Sequence, residues 1–213
     1  MTAVATTVMV IGRVTADADQ PTLAESLRAI ASSQGLYVMS GASRLVSGVT
    51  LLAAAWYLAR TWIIQERLGT PLVPALFALS GVFTAASGAL AIALANLASD
   101  VARSGTRSPR WGLAEGISDL RWLTGKVGFV LAGVALIVAA RYQWKVGGPL
   151  RYVAPVSAVI GIAMQFIWVN SATSVHRVVG AAFFVWLLAI GTMLVTGRTE
   201  KLFARLGGRQ PGT

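Results

Sequence analysis

Between Leu72 and Ser99 the chain runs 28 residues without a single charge, and two further uncharged runs follow at Tyr152–Val175 and Val178–Gly197. About 20 apolar residues in a helix cross the roughly 30 Å hydrocarbon layer of a bilayer. Backbone polar groups have no water to bond with at that depth, so helices that satisfy their own hydrogen bonds are the natural solution. Three such runs in 213 residues therefore predict an all-α, polytopic transmembrane helical bundle. Only 12% of residues are charged, against about 25% in a typical soluble domain, so lipid is expected to cover much of the surface.

The expected organisation has three parts: an N-terminal apolar segment and amphipathic interfacial helix over 1–35, the helical bundle over 36–197, and a basic polar tail over 198–213. Residues Thr2–Gly12 are apolar but too short to span. They read as a signal-peptide core, as the tail of a spanning helix that begins upstream, or as a short helix against the bundle. We expect them to be helical and packed where a first span would belong. Thr22 and Glu25 then have capping-box spacing, in which the threonine oxygen takes the Glu25 amide and the glutamate reaches back. Leu23, Leu27 and Ile30 follow on one helical stripe, which predicts a short helix over 22–34 at the membrane surface, acting as a structural collar. Five full spans are expected at about 37–62, 72–98, 119–140, 152–170 and 175–196, with a long polar loop over Ser99–Ser118.

Charge bears on placement. The net charge of +10 does not point to nucleic acid, because the 18 Lys and Arg are scattered over every loop rather than gathered in a stripe. Such residues fix orientation at headgroup level. Nine fall on each side of the membrane, so a simple count does not orient the chain. The side holding Arg60, Arg67, Arg141, Lys145 and Arg151 has shorter segments and only two of the eight acids. That places it, with the basic tail, in the cytoplasm.

Few residues suggest chemistry. The span over 72–98 is rich in small residues, and Gly81-x-x-x-Ala85 and Thr84-x-x-x-Gly88, with Gly128-x-x-x-Ala132 on the next span, allow close helix packing in lipid. These faces are expected to pack within the chain, or against another subunit. Arg44 is the main intramembrane charge, since such an arginine is expensive and needs a partner. Backbone carbonyls, Gln165 and Asn96 are the alternatives; its position two turns from a helix start favours snorkelling to the headgroups. With no acid at membrane depth, proton pumping or cation coupling is not expected. His176 is the only histidine, which excludes bis-histidine haem within the chain. As a single cofactor ligand it is the one candidate, and an interfacial histidine is the more ordinary reading. There are no cysteines, no metal-ligand cluster, no P-loop and no nucleophile motif. No cofactor, no metal and no catalytic residue is therefore expected.

The order of elements, with Leu27–Leu36 leading into the span near Tyr37 and the entry His176-Arg177-Val178-Val179-Gly180 to the last span, resembles a group of uncharacterised bacterial six-helix integral membrane proteins. The resemblance implies architecture and no catalytic residues, and most of that family's first helix is missing here. Together these features favour a non-catalytic membrane protein, a structural or accessory subunit of a larger complex. The alternatives are a small transporter or lipophile-binding protein, and, less favoured, a membrane enzyme.

Overall fold

The computed structural model describes residues 20–61, 64, 69–146, 149–168 and 173–195. Thr2–Gly12 and the basic tail, on which the terminal expectations fall, lie outside them. The described residues are helical, without a strand: α1 (Leu23–Ser32), α2 (Gln34–Ala59), α3 (Leu72–Ser104), α4 (Trp111–Val146), α5 (Pro149–Gln165) and α6 (Thr173–Val195), with 3-10 turns at Gly105–Arg107 and Phe166–Trp168. Four helical stretches are long and apolar enough to cross a membrane: Gln34–Ala59, Leu72–Arg107, Trp111–Lys145 and Leu150–Trp168. In α6 the apolar stretch is the shorter Val178–Thr192.

The expected loop over Ser99–Ser118 is largely helix. At 1.5 Å per residue, α3 and α4 are about 50 and 54 Å long, well beyond the ~30 Å hydrocarbon layer. Their polar ends therefore continue as a helical hairpin past the membrane, where charged residues suit a water-facing helix surface. Only the turn between them is irregular, and Gly105 ends α3 with φ at 58°, a conformation open to glycine and strained for other residues. Asp100 pairs with Arg103 of its own helix at 3.1 Å and with Arg110 across the turn at 3.0 Å.

α1 braces the hairpin. Its capping box forms as spaced: the Glu25 amide donates to Thr22 Oγ1 and the Thr22 amide to Glu25 Oε2, both at 3.2 Å. Leu27 and Ile30 are fully buried in a cluster with Ala95, Ala98 and Val101 of α3 and Ala114 of α4. The apolar stripe of α1 thus packs on protein rather than on headgroups. α1 ends at Ser32, two residues before the expected bound at 34, and Ser33 alone separates it from α2.

The bundle is built around α3, which packs most closely on α2 and α4. Both α2 and α3 carry two Ser-Gly doublets seven residues apart, Ser40-Gly41 and Ser47-Gly48, then Ser80-Gly81 and Ser87-Gly88. Neighbouring residues on a helix point about 100° apart, so each doublet in α3 serves two faces at once. The glycines meet α2: a Cβ on Gly88 would lie 2.5 Å from the Leu45 amide and 2.6 Å from the Gly41 carbonyl, and one on Gly81 2.7 Å from the Gly48 carbonyl. The serines meet α4: Ser80 Oγ donates to the Gly128 carbonyl at 2.7 Å, and Ser87 Oγ to the Arg121 carbonyl at 2.9 Å. Farther along, α4 and α5 touch where a Cβ on Gly161 would stand 2.6 Å from the Gly133 carbonyl. α6 docks differently, through Trp186, which stacks 6.3 Å from Phe77 and donates from Nε1 to Ser157 Oγ at 2.8 Å.

Gly88→Ala should lower the melting temperature of the detergent-solubilised protein, because the methyl group meets backbone rather than a mobile side chain. The expected cost is about 1–3 kcal/mol. Gly116→Ala, where nothing lies within 4 Å, should be neutral or slightly stabilising. Equal melting of the two variants would rule out the close contact.

Candidate functional site

The residues singled out for packing stand together. Gly81, Ala85 and Gly88 face α2 at Gly48 and Gly41, and Gly128 faces Thr84, with a Cβ on Gly128 2.9 Å from Thr84 Oγ1. Ala132 is buried. This small-residue surface is thus used within the chain.

Arg44 bonds within the bundle. It lies ten residues into α2, about 15 Å from the helix start, and its Nη1 donates to Ser87 Oγ at 2.9 Å. The reason is rotational. Arg44 follows Tyr37 and Gly41 and precedes Gly48, Leu51 and Ala55 at alternating spacings of four and three, the stripe that faces the bundle. A side chain on that stripe points inward whatever its distance from the helix end. Asn96 and Gln165 do not join it. Asn96 is on an exposed face of α3. Gln165 Nε2 bonds the Gly161 carbonyl of its own helix at 2.9 Å and the Val130 carbonyl at 3.4 Å. His176 falls within α6, but its side chain lies outside what the structure describes.

A second arginine lies inward as well, one that its place near a span end marks only as a headgroup-level charge. Arg121 of α4 is only 6% exposed, and its guanidinium stands 5.9 Å from the centre of the Tyr37 ring and 5.1 Å from that of Trp122. The signal was present: Ala114, Ser118, Arg121, Gly125, Gly128, Ala132 and Ala135 form one continuous stripe of fours and threes, with Arg121 as its single charge. Ser87 links the two arginines, accepting from the Arg44 side chain and donating to the Arg121 carbonyl. Five residues farther on, Lys126 Nζ is 6.0 Å from the same Trp122 ring and 5.1 Å from Trp168. Three cations from α2 and α4 therefore converge at one end of the bundle, among aromatic rings of the interfacial type. All three side chains are cationic hydrogen-bond donors. Among the described residues no group of three His, Cys, Asp or Glu is placed to hold a metal ion.

Comparison with protein-family models, curated proteins and solved structures gives no match. The site must be judged on its own geometry.

Ser87→Ala removes an acceptor of Arg44 and a donor to the Arg121 carbonyl together. Chemical denaturation should show a loss of about 1–3 kcal/mol, whereas Ser32→Ala, on the exposed side of α1, should stay within about 0.5 kcal/mol of wild type. Identical curves for the two variants would contradict the bridging role.

Proposed function

We propose that this chain is a non-catalytic, multi-pass membrane protein that serves as a structural or accessory subunit of a larger membrane complex. In this reading α6 is the fifth span, the chain lies in a bacterial inner membrane, and the basic tail is cytoplasmic. The likeness to six-helix membrane proteins belongs to the same proposal and concerns architecture alone.

The observation that carries the reading is the use made of polar side chains at bundle depth. Ser80 and Ser87 bond carbonyls of α4. Ser157 accepts from Trp186 of α6 and donates to Gln143 Oε1 at 2.8 Å. Gln165 bonds carbonyls of α5 and α4. Each joins helix to helix or turns back on its own helix, which is the work of a scaffold. Outward-facing residues such as Val159 of α5 and Val178 and Val185 of α6 leave apolar surface for lipid and neighbouring subunits. A second reading, a lipid-binding or small transport protein, draws its support from the convergence of Arg44, Arg121 and Lys126.

Purification of the tagged full-length chain in mild detergent separates the two. An accessory subunit should bring stable stoichiometric partners with it, and His176→Ala should leave that assembly unchanged. A lone, monodisperse bundle would overturn the accessory reading, and loss of a bound cofactor in His176→Ala would overturn the non-catalytic one.

A further inference from the structure

From residue 120 to residue 199 the chain holds seven Lys and Arg and no acid. Three of the seven, Arg141, Lys145 and Arg151, flank the connection from α4 to α5, and all three side chains are exposed. Arg141 and Lys145 stand one turn apart on α4, a spacing at which like charges weaken a helix. Arg151 is the third residue of α5, where the positive end of the helix dipole also disfavours a cation. The dipole at the C-terminal end of α4 suits Lys145 but gives no reason for Arg151. Aromatic rings hold two of the cations. The Arg151 guanidinium lies 4.8 Å from the centre of the Trp144 ring, and Lys145 Nζ lies 6.0 Å from that of Tyr142. Trp144 thereby ties Arg151 to the helix that carries the other two. Acids of the chain do not balance this patch. The nearest along α4 is Asp119, about 33 Å from Arg141 by helix rise. With α6 as a span, only Glu66 and Glu200 fall on this side of the membrane, against nine Lys and Arg.

We propose that Arg141, Lys145 and Arg151 bind the headgroup of one anionic phospholipid. Depth favours this ligand. Arg141 directly follows the uncharged stretch 127–140 of α4, so the patch sits at headgroup level, and Tyr142, Trp144 and Tyr152 are rings of the interfacial type. Basic clusters beside membrane helices recognise anionic headgroups. The phosphodiester accepts charge-assisted bonds from the planar forks of the arginines, and its charge offsets the repulsion among the three cations. From Arg151 inward, Tyr152, Val156 and Val159 are exposed at spacings of four and three, which puts them on one stripe of α5. That stripe gives the acyl chains an apolar track, which a free phosphate would not use. The site rests on α4 and α5 as membrane spans and not on the presence of partner subunits.

The test uses the full-length protein in neutral detergent, read by native mass spectrometry and by melting temperature. The probes are phosphatidylglycerol, phosphatidylcholine with the same tails, and inorganic phosphate. In equimolar competition wild type should retain one phosphatidylglycerol per chain in preference to phosphatidylcholine, and should melt higher with it. Arg141→Gln, Lys145→Gln and Arg151→Gln should each cut that preference about fivefold, the share of one cation at a charged membrane surface. The triple variant should show no preference. Because the three side chains are exposed, melting without lipid should stay at the wild-type value, which separates lost binding from lost folding. Arg107→Gln, on the exposed turn at the other end of α4, should keep the wild-type preference. Equal retention of the two lipids, an undiminished preference in the triple variant, or the same loss in Arg107→Gln would overturn the proposal. So would inorganic phosphate that raises melting as much as phosphatidylglycerol does, since the acyl chains would then have no part.

Discussion

In a bilayer a leucine gains nothing by leaving lipid for protein, so apolar burial does not hold helices together as it does in water. Close backbone approach and hydrogen bonds between helices must supply the difference. The Ser-Gly doublets of α3 provide both from adjacent positions. Glycine removes the side chain that would keep α2 away, and serine, 100° round the helix, reaches a carbonyl of α4. Repetition after seven residues, about two helical turns, brings the same pair back to the same faces. The doublets of α2 answer in antiparallel register, Gly41 against Gly88 and Gly48 against Gly81.

This arrangement decides where the charges go. Once α2 is seated on α3 through its glycine stripe, Arg44 shares that stripe and is carried to Ser87. Arg121 is carried inward in the same way by the small-residue stripe of α4. The inward arginines follow from the packing that excludes larger groups around them. They bring Arg44 and Arg121 together at one end of a largely apolar bundle, the end that α1 braces through Leu27 and Ile30.

Much of this was legible in the residues. Uncharged runs located the spans because the bilayer tolerates little else at its centre, and the capping box set the start of α1 at Thr22. Charge was a poor guide to where helices end: Asp100, Arg103 and Glu115 suggested a loop, yet they sit on helices that continue into water. Arg44 shows the second limit. Distance from the helix end argued for snorkelling, while its place in the series 37, 41, 44, 48, 51, 55 argued for the interior, and the series was the stronger evidence. Arg121 was hidden for a related reason. It was counted as a flanking charge that sets orientation, although its stripe could be read directly. The Ser-Gly repeat is written in both α2 and α3, although small-residue spacings of four alone point only to α3 and α4.

The most direct measurement exchanges one doublet in place: Ser87→Gly with Gly88→Ser in the same chain. Composition and hydropathy stay the same, and only the faces on which the two side chains point are swapped. If α3 holds its neighbours through glycine on one face and serine on the other, the exchange drives a side chain into the Leu45 and Gly41 backbone and leaves Arg44 and the Arg121 carbonyl without Ser87. The combined loss should reach about 2–6 kcal/mol, seen as a collapse of the melting temperature in detergent. A variant that melts with wild type would contradict the central place given to the doublets.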